Sequence, residues 1–86
     1  MKLTNLMSEL VKRNGSDLHL TGDGFPFFRV QGQILPASGE IYPSSDLRAD
    51  LEQILGSKKL AAFDLNKELD CSYGLEGIAR FRMNIF

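Results

Sequence analysis

The sequence predicts an α+β domain, in which helices pack on one face of an antiparallel sheet. Segments with helical periodicity are separate from segments that alternate polar and apolar residues, and connections of hairpin length join the alternating ones. The chain has 86 residues, of which 43% are hydrophobic and 24% are charged, so it suits one small globular domain rather than a disordered segment.

The first half of the chain predicts one helix followed by strands. Apolar residues recur at helical spacing over 3–11, and Thr4 or Asn5 can cap the start of this helix. Asn14 and Gly15 tolerate the left-handed conformation that ends a helix. The strands predicted by alternation are 17–21, 25–31 and 33–35, with turns at 22–24 and at 32.

The second half of the chain predicts two helices and then two strands. Pro43 and the polar residues after it predict the start of a helix that ends at Gly56. Ser57 can cap a second helix, which runs to about Asn66. The second helix is expected to bury Leu60, Phe63 and Leu65. The strands predicted by alternation are 69–73 and 79–85, joined by a turn over 74–77.

The last predicted strand directs Arg80 and Arg82 to one face and apolar residues to the other. Because nothing follows Phe86 that would pair with this strand, we expect the chain to be a piece of a longer protein, cut within or just after a sheet. We also expect weak self-association by edge pairing over 80–86.

Composition excludes several classes of protein. The net charge of −1 provides no general attraction for nucleic acid or for an acidic membrane. The single cysteine, Cys71, excludes an internal disulfide, and its alternation with Leu69 and Tyr73 predicts a buried structural thiol. No apolar run approaches a membrane span and the N-terminus lacks the apolar core of a signal peptide, so a cytoplasmic location is expected.

Three arginines on one polar face of the predicted sheet are the strongest candidates for a binding function. They are Arg29, Arg80 and Arg82, because guanidinium groups match phosphate and carboxylate oxygens. The alternative is structural pairing across strands with Asp17, Glu68 or Asp70. The whole predicted face comprises Asp17, His19, Thr21, Arg29, Gln31, Asp70, Ser72, Arg80, Arg82 and Asn84.

Asp17 and His19 lie two positions apart on the same face, which is compatible with acid–base chemistry or metal binding. With one histidine in the chain and no cysteine beside it, a structural hydrogen bond across strands is favoured over a metal site. The chain has no GxxxxGK[ST] phosphate loop and no nucleophile–histidine set. It is therefore not expected to be an enzyme by itself.

Three blocks of residues together resemble a known family. They are Gly15-Ser16-Asp17-Leu18-His19-Leu20, Phe28-Arg29-Val30-Gln31-Gly32 and Ala79-Arg80-Phe81-Arg82-Met83-Asn84-Ile85-Phe86. Their order and spacing, with a two-helix insert between, resemble the N-terminal domain of PilT-like twitching-motility ATPases, within the type II/type IV secretion ATPase superfamily. The resemblance covers nearly the whole chain. Gln31 departs from it, since the family often has an aspartate there.

The resemblance implies that residues 1–86 form a PAS-like α+β domain that is joined, in the parent protein, to a RecA-like ATPase domain absent from this chain. It implies a non-catalytic domain that couples ATP binding and hydrolysis to motion within a homo-hexamer, with ATP and Mg as cofactors of the parent. The implied partners are the RecA-like domain of the same or a neighbouring subunit and a pilus platform protein of the inner membrane, with no nucleic acid. The implied location is cytoplasmic, peripheral to the inner membrane.

By the same resemblance, Arg82 and Arg80, with Arg29, match positions that approach the nucleotide phosphates. Asp17 and His19 match the family's signature, and we interpret them as structural or as part of a domain interface.

Two other functions stay open. A free-standing PAS-like sensor would need a cavity for its ligand, whereas six phenylalanines are expected to fill the core. A protein-interaction adaptor with no link to ATP is the second alternative. Within the family resemblance, the sequence is compatible both with a motor that retracts a filament and with one that extends it. The phenylalanines expected in the core are Phe25, Phe27, Phe28, Phe63, Phe81 and Phe86.

Overall fold

A computed structural model describes residues 1–75 and 79–86 of the chain. The elements are α1 (Lys2–Lys12), β1 (Asp17–Leu20), β2 (Phe27–Val30), β3 (Gln33–Pro36), α2 (Ser44–Ile54), α3 (Ser57–Asn66), β4 (Leu69–Leu75) and β5 (Ala79–Ile85). Each helix and strand expected from the sequence is present. Of the turn predicted over 74–77, positions 76 and 77 lie outside the described residues, while Gly74 and Leu75 belong to β4.

The strands form one five-stranded sheet in the order β3-β2-β1-β5-β4. The expected α+β class is confirmed, and the arrangement is consistent with a PAS-like fold. The expectation of a wholly antiparallel sheet is wrong at the centre, where β1 and β5 run parallel. Alternation assigns residues to a face of a sheet but carries no information on strand direction. Here a long crossover that includes α2 and α3 carries the chain from one half of the sheet to the other.

The position of β5 corrects a second expectation. This strand lies between β1 and β4 and pairs with both, so residues 80–85 form no edge of the sheet. Pairing of two copies through residues 80–86 is therefore wrong as a mode of self-association. The edges of the described sheet are β3 and β4.

The core lies between the helices and one face of the sheet. Its strand residues are the alternate apolar ones, among them Leu18, Phe28 and Met83, each fully buried. The helices contribute Leu3, Leu6, Met7, Leu10, Leu47 and Leu51. The other face, here called the open face, carries Asp17, His19, Phe27, Arg29, Asp70, Ser72, Arg80, Arg82 and Asn84, of which none is fully buried.

The aromatic content of the core differs from expectation. Phe28 and Phe81 are buried, but Phe25, Phe27 and Phe86 are exposed and Phe63 is only half-buried. Phe27 lies on the open face because it alternates with Phe28 along β2. The largest fully buried side chain is Tyr42, which the sequence did not indicate.

Helix ends follow the sequence in part. Asn14 has a φ of 56° after α1, and the Gly15 N–H donates to the Leu10 carbonyl at 2.9 Å, as expected of a left-handed helix end. A Cβ on Gly15 would lie 2.1 Å from a methyl carbon of the buried Leu10 and 3.1 Å from the carbonyl oxygen of Arg29, so a side chain there would require Leu10 to shift. The caps predicted at Thr4, Asn5 and Ser57 are wrong, because α1 and α3 begin earlier, with Met1 and Gly56 at the caps. Leu65 is 82% exposed rather than buried.

Candidate functional site

Strand register brings most of the predicted polar residues into two rows across the open face, and Arg80 lies beyond them, opposite Gly74 on β4. In the first row, Arg29 on β2 lies beside Asp17 on β1, and Asp17 lies beside Arg82 on β5. Ser72 on β4 ends this row. The second row runs Phe27, His19, Asn84, Asp70 in the same strand order. The predicted residues that lie on strands therefore share one continuous surface, whereas Thr21 and Gln31 lie outside the strands, Gln31 in a turn with a φ of 50°.

Arg82 makes a two-pronged contact with Asp70. Its Nε donates to Oδ1 of Asp70 at 2.8 Å, and its Nη2 donates to Oδ2. The hydrogen bond raises the pKa of Arg82 and holds the pKa of Asp70 below its ordinary value. The two side chains keep 61% and 51% of their surfaces exposed, so this pair is open to solvent. The pair aligns the guanidinium of Arg82. Because the pair is exposed, breaking it should cost little stability.

Arg80 has a different environment from Arg82. Its Nη1 donates to the hydroxyl of Ser72 at 2.9 Å, which is a neutral acceptor. Its guanidinium lies along Gly74, because a Cβ there would be 3.4 Å from Nη2 and 3.5 Å from Cζ. Within residues 1–75 and 79–86, no carboxylate pairs with Arg80. Its charge is therefore not neutralised by a described neighbour.

Arg29 lies beside an aspartate that is already engaged. The carboxylate of Asp17 accepts hydrogen bonds from the Ser16 hydroxyl at 2.7 Å and from Nδ2 of Asn84 at 3.2 Å. Arg29 is exposed, and the described part of the chain gives it no ion pair. The cross-strand pairing considered for the three arginines thus applies to Arg82 alone.

His19 occupies the middle of the second row, between Phe27 and Asn84. Its Nε2 is shielded from solvent and has no hydrogen-bond partner among residues 1–75 and 79–86, so no described residue makes the expected structural hydrogen bond at Nε2. Among the described residues, no group of three histidine, cysteine or acidic side chains is placed to hold a metal ion. Asp17 and His19 lie on neighbouring rows but do not bond to each other.

Two further polar contacts, which join loops to α2, were not indicated by any pattern in the sequence. The buried Tyr42 donates its hydroxyl to Asp50, and burial together with this bond raises the pKa of Tyr42 well above its ordinary value. The carboxylate of Asp23 accepts a hydrogen bond from the Ser44 N–H at 2.9 Å, so the helix is capped from a distant loop. The two contacts link positions 8 and 21 residues apart, and each joins a loop to a helix, where periodicity is uninformative.

A surface cleft lies away from the open face. It is bounded by α2, α3 and the end of the chain, and none of the three arginines lines it. Arg48 and Asp64 both line this cleft and form an ion pair, with Nη2 of Arg48 at 2.7 Å from Oδ2 of Asp64. Half-buried Cys71 packs against the core, and burial raises the pKa of its thiol, which agrees with a structural role. Within the described residues, no helix is long and apolar enough to cross a membrane.

Comparison with known proteins supports the resemblance drawn from the sequence. The chain is 31% identical over all of its 86 residues to the type IV pilus retraction ATPase PilT of Pseudomonas aeruginosa and 26% identical to the type IV pilus ATPase PilU of the same organism. It spans 25% and 22% of the lengths of these proteins. No protein-family model matches the chain. The similarity confirms the predicted resemblance to PilT-like ATPases and is consistent with an N-terminal domain of such a protein.

Proposed function

We propose that residues 1–86 are the non-catalytic N-terminal domain of a type IV pilus retraction ATPase, and that the domain couples ATP binding and hydrolysis to motion of the assembled motor. Similarity to PilT and PilU over the whole chain, against about a quarter of their lengths, supports this proposal. The chain lacks a phosphate loop, so the RecA-like domain of the same or a neighbouring subunit would hold the nucleotide.

Arg82 and Arg80 would contact the nucleotide phosphates in the assembled ring. The observation that carries this role is their placement: both project from β5, an internal strand, onto the open face. A strand paired on both sides holds its side chains in fixed positions, which favours stabilisation of charge that develops on a transferring phosphoryl group. The residues fit a supporting contact to phosphate, not a complete nucleotide site.

The pairing of each arginine agrees with this role. Asp70 aligns the guanidinium of Arg82, yet the pair is exposed, so a phosphate group of higher charge can replace the carboxylate. Arg80 gives up only a hydroxyl contact. Each side chain is thus oriented before the phosphate arrives and loses little when it binds.

Arg29 would act at a separate point. It lies two strands from Arg82, about 10 Å away at ordinary strand spacing, and the carboxylate of Asp17 lies between them. An anion bound by both arginines would face that carboxylate at close range. We therefore assign Arg29 to another phosphate or to a carboxylate of the adjoining domain, and Asp17 and His19 to the domain interface.

The proposed assembly is a homo-hexamer that uses ATP and Mg and works on the cytoplasmic side of the inner membrane, with a pilus platform protein as partner. Bound ATP supplies the phosphoryl group that is transferred to water. The open face would dock on the nucleotide-binding domain, so that changes at the phosphates move this domain as a rigid body.

The test is ATP turnover by the full-length ATPase with Arg82→Ala. We expect kcat to fall about 100-fold, the usual cost of removing one donor aimed at developing charge. Arg82→Lys should recover only part of the rate, because an ammonium cannot form the two-pronged contact. Arg80→Ala is expected to have a smaller effect in the same direction.

Arg13→Ala is the matched control. Arg13 is also an exposed arginine in a surface ion pair, with Glu9 at 3.1 Å, but it follows α1 and lies off the open face. Unchanged turnover with both Arg82→Ala and Arg80→Ala would reject the phosphate role and favour the adaptor function. A ligand that co-purifies with the domain would instead favour a sensor.

A further inference from the structure

We propose that the outer edge of β4 pairs with β4 of a second copy of this chain, antiparallel and around a two-fold axis at Ser72. In the described sheet β4 has a partner, β5, on one side only. It is seven residues long and contains no proline or lysine, the residues that commonly protect such edges. This inference does not depend on the proposed nucleotide role.

The hydrogen bonds of β5 show which backbone groups of β4 are free. The Arg82 N–H donates to the carbonyl oxygen of Ser16, just before β1, at 2.9 Å. The Phe86 N–H donates to the carbonyl oxygen of Leu20, at the end of β1, also at 2.9 Å. Alternate residues of a strand direct both backbone groups to the same side, so the odd-numbered residues of β5 face β4. Their partners on β4 are its odd-numbered residues. The even-numbered residues of β4, which are Asp70, Ser72 and Gly74, therefore present N–H and C=O groups outward.

The other edge of the sheet is protected in a way that β4 is not. β2 and β3 are joined by a tight turn at Gln31 and Gly32, both with positive φ, which pairs Val30 with Gln33. By the same alternation, the outward residues of β3 are Ile34 and Pro36. Proline has no N–H, so β3 offers a short edge with one donor fewer. β4 is the edge that remains able to pair.

A two-fold axis at Ser72 makes the outward groups of β4 complementary to themselves. Ser72 then lies opposite Ser72 of the second copy, and Asp70 lies opposite Gly74 of the second copy. Each of these pairs exchanges both backbone hydrogen bonds, because all its residues face outward. A two-fold axis at Cys71 would instead place Asp70 opposite Ser72 of the second copy, and one at Tyr73 would place Ser72 opposite Gly74. These registers also pair outward residues, so the backbone groups alone do not select the axis at Ser72.

Charge complementarity selects the axis at Ser72. Arg80 lies along Gly74, which has no side chain to cover the guanidinium. Asp70 of the second copy would therefore arrive beside the guanidinium of Arg80, which lacks a carboxylate partner among the described residues. The two-fold axis forms this contact twice. A carboxylate has room for a second donor while it stays bonded to Arg82.

Cysteine cross-linking tests the register directly in the 86-residue chain. In a Cys71→Ser background, Ser72→Cys places two thiols on Cα atoms about 5.5 Å apart, within the range that a disulfide bridges. We expect covalent dimer under mild oxidation. Ser45→Cys replaces an exposed serine on α2. It is the matched control and should give little covalent dimer. Equal cross-linking of the two variants would overturn the proposal.

Charge reversal tests the complementarity. Sedimentation of the 86-residue chain at up to roughly millimolar concentration should show a weak monomer–dimer equilibrium, as expected of a small interface. Arg80→Glu should raise the dissociation constant about tenfold, since it replaces both ion pairs with like-charge contacts. Arg29→Glu makes the same change of charge on the same face but away from β4, and should leave association unchanged. A monomer at every concentration, or equal effects of the two variants, would overturn the proposal.

Discussion

Two polar pairs in this domain, Tyr42 with Asp50 and Arg82 with Asp70, show how burial decides what a contact does. Each joins a donor to a carboxylate across a distance in the sequence. Tyr42 is 1% exposed, whereas Arg82 keeps more than half of its surface in solvent. The buried pair fastens the loop before α2 to the helix, and the exposed pair aligns a guanidinium that stays accessible to a ligand. Similar chemistry thus serves structure in one place and, in the role proposed above, recognition in the other.

The physical reason is the alternative that each group has when its partner is lost. Around the exposed pair, water replaces the missing partner at little cost. Around Tyr42, the ring fills the core and its hydroxyl has no access to solvent, so an unmade hydrogen bond carries the full cost of desolvation. The ammonium of Lys2 lies 5.2 Å from the centre of the Tyr42 ring, and this cation–π contact also holds the ring in place.

The largest expected effect is on the buried pair. Tyr42→Phe keeps the ring but leaves the half-buried carboxylate of Asp50 without its donor, so the free energy of unfolding should fall by about 1–3 kcal/mol. Chemical denaturation of the isolated chain measures this. Tyr73→Phe is the control, because Tyr73 is half-buried and its ring packs on Phe81 at 5.9 Å. An equal loss of stability in Tyr42→Phe and Tyr73→Phe would show that the hydrogen bond from Tyr42 to Asp50 makes no special contribution.

The second effect is a loss of stability in alkaline solution. The folded protein keeps Tyr42 protonated because its pKa is raised, whereas an unfolded tyrosine ionises near pH 10. The stabilisation is complete below about pH 10, and above it the free energy of unfolding should decrease by about 1.4 kcal/mol per pH unit from this group. Denaturation midpoints of the parent chain and of Tyr42→Phe between pH 9 and 11 isolate this contribution. Parallel pH profiles would contradict it.

The smallest effect is expected at the exposed pair. The pKa of Asp70 is lowered by Arg82, so its contribution to stability is present above the ordinary carboxyl pKa of about 3.9 and is lost as the pH falls through the folded value. Because solvent screens the pair, Asp70→Asn should shift the urea midpoint at pH 7 much less than Tyr42→Phe does. A shift as large as that of Tyr42→Phe would show that the pair is structural.

The residues predicted correctly are those for which local periodicity is sufficient. Alternation placed Arg80 and Arg82 on one face and Phe81 and Met83 on the other, and the burial of the last two agrees. The expectation that Phe25 lies in the core was wrong, because it rested on the number of phenylalanines and not on alternation. Phe25 precedes β2 and, like the exposed Phe27, lies an odd number of positions from the buried Phe28. The prediction that Leu65 is buried was also wrong, because only one side of α3 reaches the sheet and no residue of that helix is fully buried.

The sequence by itself determined the order of helices and strands, the composition of the open face and the resemblance to PilT-like ATPases. These follow from the two-residue period of strands and from short motifs, which are local properties. Only the tertiary structure decided that β1 and β5 run parallel, that β4 forms an edge, and that Asp70 rather than Asp17 bonds to Arg82. Strand order and side-chain partners depend on how distant segments pack together, and that packing is a property of the whole fold.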